Sequence, residues 1–229
     1  MEILVIAGAF SAMQNFISQL VLVENLGKNY ARFSYLETEL DILISGTGGS
    51  VTSYYLTKSL NNKKYDFVIH LGRCFSVKNQ QESGIVINLI DDYFGDLGFE
   101  TEDAFSSVFD LGIRNKNEFP FTNEILENNL LLPEFQTSYR KASGISCNSI
   151  PSNLFGIANM YQKNYPDVIS RDGASVLYVC LEEKVKLIQL FYVVDRLENA
   201  SENYKIEEDE VSKLTEALKL TLAGILKVD

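Results

Sequence analysis

Two aspartates stand where a chain would put chemistry. Asp172 lies in Ser170-Arg-Asp-Gly-Ala-Ser, directly before a small-residue turn and an apolar run. Asp195 closes another apolar run, Leu190-Phe-Tyr-Val-Val-Asp. A carboxylate at such a boundary has a structural use and a chemical one. As a helix N-cap, Asp172 would satisfy an orphan N–H, worth ~1 kcal/mol. Facing a ligand, it would accept hydrogen bonds or stabilise a developing positive charge. Asp195 is either solvated in a loop or poised in a cleft. Arg171 precedes Asp172, and if both lie in one pocket an acid there, such as Asp195, is its expected partner.

Other polar groups recur after apolar runs. Gly46-Thr47-Gly48-Gly49-Ser50 follows one of them. Its backbone N–H groups and the helix start behind it suit an anion. It lacks the lysine of a P-loop and does not match GxGxxG, and a tight turn packing helix on strand explains it as well. Gly72-Arg73-Cys74-Phe75 follows a second run. Arg73 would grip a phosphate or carboxylate in bidentate fashion, or pair with a nearby acid. Tyr54, Tyr139, Tyr178 and Tyr192 read as core and rim rather than as a base-stacking set. The lone histidine, His70, alternates into a strand and reads as a satisfied core residue, so a histidine metal site is not expected.

Elements that would position these groups follow from periodicity. Residues 3–7 form a buried strand. Met13, Phe16, Ile17 and Leu20 recur at helical spacing, which predicts a helix over 11–27 with Gly27 as its stop. One or two strands follow over 31–46, then a glycine turn and a helix. Strands are expected over 65–73, 84–94, 139–150 and 186–195. Helices are expected over 122–132, 151–166 and 172–183. The last helix, 207–227, carries Val211, Leu214, Leu218 and Leu222 on one face. This alternation predicts an α/β fold: a central mixed twisted sheet in a single domain, with helices on both sides. In such folds the ligand sits beyond the carboxyl ends of the strands, where the residues named above would gather.

Bulk properties exclude other classes. The 229 residues hold 20 basic and 31 acidic side chains, a net charge of −11, so the chain lacks the basic footprint of a nucleic-acid binder. Much of the acid excess lies in LENASENYKIEEDEVSK and reads as a solvated loop and helix start. No apolar run is long enough to span a bilayer. Cys74, Cys147 and Cys180 fit no CxxC pattern and read as free thiols in a reducing cytosol.

The order of these pieces resembles the nucleoside phosphorylase and nucleosidase superfamily, and within it the futalosine hydrolases of menaquinone biosynthesis. Methylthioadenosine/adenosylhomocysteine nucleosidases are also similar. The most specific stretch is residues 84–113, with Asp96-Leu97-Gly98 and Asp110-Leu111-Gly112. GTGGSVTSYYL, SGISCNSI, RDGASVLYVC and LIQLFYVVD resemble further family segments. The resemblance implies a cytoplasmic homodimer or higher homo-oligomer acting on a small nucleoside-like ligand, without metal or cofactor. It implies Asp195 as the acid at the leaving base and Asp172 as the carboxylate at the ribose. Gly46, Gly48, Gly49, Arg73, Phe75, Asn148 and Arg171 would bind the ligand.

This chain also departs from the family pattern. Arg171-Asp172-Gly173 stands for Met-Glu-Gly, and Gly72-Arg73-Cys74-Phe75 for a glycine-rich turn. Ser11, Ala12 and Met13 occupy the region of an acid expected soon after the first strand. Phe191 and Tyr192 stand near the place of an arginine. Two expectations follow: a nucleosidase of altered specificity, or a catalytically degenerate relative serving as ligand binder or scaffold.

Overall fold

The computed structural model describes residues 1–77, 83–101, 104–130, 137–150, 165–203 and 205–227. Its first half comprises β1 (Ile3–Ala7), a 3-10 turn (Phe10–Ala12), α1 (Gln14–Ile17), β2 (Val21–Gly27), β3 (Tyr30–Tyr35), β4 (Thr38–Ile44), α2 (Gly49–Asn62) and β5 (Phe67–Ser76). Then come β6 (Val86–Asp92), β7 (Gly98–Glu100), β8 (Phe105–Ser107), β9 (Phe121–Thr122), β10 (Ile125–Glu127) and β11 (Lys141–Ser146). The chain continues with β12 (Val168–Ser170), α3 (Gly173–Glu183), β13 (Lys186–Arg196) and α4 (Glu208–Leu226).

The mixed sheet follows from strands buried on both faces. β1 runs parallel between β4 and β5, with Val5 opposite Ile42 and Ile69. Its side chains alternate: Ile3, Val5 and Ala7 join the core under α1 and α4, while Leu4 and Ile6 join the core under α2 and α3. Helices therefore cover both faces, as the alternation predicts.

Beyond β5 the sheet closes on itself. β5 pairs β12, β12 pairs β11, β11 pairs β6, β6 pairs β13, and β13 returns to β5. One buried cluster draws on all five strands: Cys74, Ile87, Leu89, Ala142, Val168, Phe191 and Val193. This small barrel sets the second half of β5 against β12, whose end leads into Arg171 and Asp172, and runs β13 parallel beside β5. Gly72 is needed there, because a Cβ would collide with the Phe191 ring.

Two expected helices are strands. Only Gln14–Ile17 is helical in the first, and Val21–Gly27 is an edge strand on β3. Met13 and Phe16 are buried as the helical spacing requires, but the β-favouring Val-Leu-Val that follows pairs instead. Over 121–127 the chain makes a hairpin, with Asn123 and Glu124 both at positive φ in the tight turn. The expected helix over 151–166 lies almost wholly outside the described residues.

Candidate functional site

A cavity of about 270 Å³ opens beyond the strand ends. Gly8 and Ala9 after β1, Thr47 after β4, Gly72, Arg73 and Phe75 of β5, and Arg171 and Asp172 before α3 line it. Ala12, Ile150, Ala200, Ile206 and Glu210 complete much of the wall.

Asp172 occupies the N-cap position of α3, yet its side chain makes no capping bond. Two serines do that work. Gly173 N–H donates to Ser170 Oγ at 3.2 Å, and Ala174 N–H donates to Ser146 Oγ at 2.8 Å. Ser146 also stands 3.0 Å from Ser170 Oγ and donates to Asp92 Oδ2 at 3.0 Å. Each hydroxyl thereby uses its donor and accepts as well. Asp92 is fully buried, and burial pushes its carboxyl well above the ordinary range. Gly173 is required at the helix start because a Cβ would strike that carboxyl. With the helix amides satisfied from beneath, the Asp172 carboxylate faces the cavity.

Behind Asp172 lies His70. It is fully buried, and its Nε2 stands 3.8 Å from Asp172 Oδ1. Nδ1 meets Gln189 Oε1 at 3.0 Å. His70 is thus in the core, as the sequence implied, but its Nε2 has no hydrogen-bond partner among the described residues. The same holds for Gln189 Nε2.

Across the cavity, Arg73 pairs with an acid rather than waiting for a ligand. Its Nη2 lies 3.2 Å from Glu210 Oε2 and donates to Asn203 O and Lys205 O at 3.3 and 3.1 Å. Glu210 is 1% exposed, and its Oε1 is buried without a partner among the described residues. Burial raises the carboxyl to about 7, against the opposing pull of Arg73 and with a smaller push from Glu207.

Of the remaining sequence candidates, Phe75 and Arg171 line the cavity and the others are not among its lining residues. Asp195, half-buried, accepts from Arg196 N–H at Oδ1 (2.7 Å) and from Asn199 and Asn203 side-chain amides at Oδ2 (3.1 and 2.9 Å). Arg171 is exposed at the cavity wall, and no ion pair joins it to Asp195 among the described residues. Phe75 lines the cavity while packing on Ile145 and Ile169. Asn148 binds Asp96 through its backbone and side-chain nitrogens, at 2.6 and 3.2 Å. Gly46 and Gly48 hold positive φ in the turn, and Gly49 packs against Ser175 so closely that a Cβ would collide. Thr47 is the member of that loop in the lining.

Neither a family model nor a curated protein matches the chain in sequence. Solved structures do match it in three dimensions. Helicobacter pylori futalosine hydrolase superposes with a TM-score of 0.79 at 12% identity, covering 97% of each chain. Streptococcus pyogenes S-adenosylhomocysteine nucleosidase, solved with 5-methylthiotubericidin, gives 0.75 at 14%, covering 99% of this chain and 96% of that one. This chain has the nucleoside phosphorylase/nucleosidase fold. A third match, the Colwellia psychrerythraea methylthioadenosine/adenosylhomocysteine nucleosidase with adenine, gives 0.78 at 10%, covering 98% and 95%. In this structure the ends of β1 and β4 reach the cavity, while Asp195 at the end of β13 is not among its lining residues. At 10–14% identity, what is shared is the framework.

Glu210 escaped the sequence reading because it sits in an acidic run. Its neighbours Glu207, Glu208 and Asp209 are exposed, as expected. The signal was present, however. Stepping back four residues from Leu214 along the apolar stripe lands on Glu210.

Proposed function

We propose that the protein is a nucleosidase, which binds a small nucleoside-like ligand in this cavity and hydrolyses its N-ribosidic bond. The observation that carries the reading is Asp172: a nearly buried carboxylate freed from capping and turned to the cavity. Asp172 accepts hydrogen bonds from ribose hydroxyls and stabilises the positive charge that develops as the bond lengthens. A water oxygen attacks C1′ while the C1′–N bond breaks. Glu210, with a pKa of about 7, takes the water proton near neutral pH. The bonding pair leaves with the base nitrogen. As its Asn199 and Asn203 contacts give way to the ligand, Asp195 takes up a proton from solvent and delivers it to that nitrogen, while Glu210 returns the water proton to solvent.

A second reading, a catalytically degenerate binder or scaffold, is favoured by one arrangement. Arg73 already neutralises Glu210, and Asp195 is tied by two asparagine amides. Base release decides between the two. The purified protein is incubated with futalosine, methylthioadenosine, adenosylhomocysteine, inosine and adenosine, with and without phosphate, and the products are separated by chromatography. Release that is lost in Asp172→Asn supports the nucleosidase. Binding without release supports the second reading, and release only with phosphate makes it a phosphorylase. A cytoplasmic homo-oligomer free of metal and cofactor belongs to the same proposal. Light scattering checks the assembly.

A further inference from the structure

We infer that His70 is a positioning residue for Asp172: its Nε2–H faces Oδ1 and orients the carboxylate, while Gln189 donates an amide N–H to Nδ1. The inference deepens the proposed ligand site, but its first test does not depend on that reading. His70 and Gln189 are cross-strand partners on β5 and β13, both fully buried. Their side chains meet at 3.0 Å, and Phe191 packs edge-on against the imidazole.

An amide oxygen and nitrogen exchange places by a flip that leaves the shape unchanged. With Gln189 Oε1 toward the ring, Nδ1 must hold the proton. A neutral Nε2 then turns a lone pair toward the Asp172 carboxylate, 3.8 Å away in a buried setting. Gln189 Nε2 is meanwhile left without an acceptor. Turning the amide gives the Gln189 N–H an acceptor and replaces the repulsion at Nε2 by an attraction. Gln189 donates to Nδ1, the proton sits on Nε2, and an N–H dipole points at the carboxylate. The amide oxygen is then left without a partner and the Nε2–H is aimed at the carboxylate from 3.8 Å, an attraction in place of a repulsion, and an unmade amide acceptor is more tolerable than an unmade amide donor.

This arrangement divides the work of Asp172. Oδ1 faces the histidine. Oδ2 lies toward Gly8, where even an added Cβ would come within 3.6 Å of it. Oδ2 is therefore the oxygen presented to a ligand hydroxyl. The 3.8 Å separation exceeds a hydrogen bond and closes as a ligand draws on the carboxylate.

His70 is the only histidine, so its ring nitrogens are seen alone in a long-range proton–nitrogen correlation spectrum of the intact labelled protein. The expected signature is an unprotonated Nδ1 and a protonated Nε2, with the Nε2 resonance moving in Asp172→Asn. A protonated Nδ1 with bare Nε2 overturns the inference. So does protonation of both nitrogens, or an Nε2 indifferent to Asp172→Asn. A second variant, Gln189→Met, fills the space without the amide. With the fold verified by circular dichroism, the tautomer preference should be lost and adenosine should bind about tenfold more weakly. Loss of the preference with unchanged adenosine affinity defeats the positioning role. Failure of wild type to bind adenosine counts against the nucleoside reading instead, and the nitrogen shifts still decide the tautomer.

Discussion

Asp172 and Asp195 are the same residue type at the ends of neighbouring elements, yet the fold treats them in opposite ways. Around Asp172 the polar work is done from below. Ser146, Ser170 and Asp92 satisfy the start of α3, and the carboxylate is released to the cavity. Around Asp195 the work is done by the side chain itself. Its oxygens serve the turn after β13 through Arg196, Asn199 and Asn203. A sequence shows which acids stand at strand ends. Which of them is free depends on whether other groups have already met the backbone's needs.

The difference can be tested in order of expected effect. Asp172→Ala should lower base release about 10²–10³-fold, the usual loss when one charge-stabilising group is removed from a site. Glu210→Gln should cost about 10²-fold in kcat with little change in KM, if Glu210 takes the water proton. Steady-state rates check both.

Glu210 also gives a pH test. Its carboxyl holds its proton more tightly folded, at about 7, than the ordinary 4.5. The folded state therefore binds more protons in that window, and stability falls as pH rises from about 4.5 through 7. Below the window the effect is absent. Denaturant midpoints across it should decline less in Glu210→Gln than in wild type.

Ser146→Ala should destabilise by about 1–3 kcal/mol, because it strips a partner from Ala174 N–H and from the buried Asp92 together. Asn203→Ala should cost less than about 1 kcal/mol, since its bonds lie near solvent. Urea unfolding of both variants measures the contrast between a floor that is structural and a turn that is expendable.

The framework was legible because strands buried on both faces announce themselves as apolar runs, and β1, β5 and β13 all do. The edges were not. Val21–Gly27 is exposed along most of its length, so its burial pattern carried no strand signature, and a single helical turn before it set a misleading period. The site was legible in part. Position after an apolar run singled out Arg73, the helix start singled out Asp172, and the family resemblance added Phe75 and Arg171; all four line the cavity. Arg73's partner could not be read, because Glu210 lies 137 residues away on another element. The capping serines were equally hidden: Ser146 reaches α3 from a different strand, across 28 residues.

The most direct test of the account is calorimetric titration of adenosine into wild type, Asp172→Asn and Asp195→Asn. The account predicts that binding is lost or strongly weakened in Asp172→Asn and nearly unchanged in Asp195→Asn, because only the first carboxylate faces the cavity at rest. Binding that survives Asp172→Asn but fails in Asp195→Asn would contradict it.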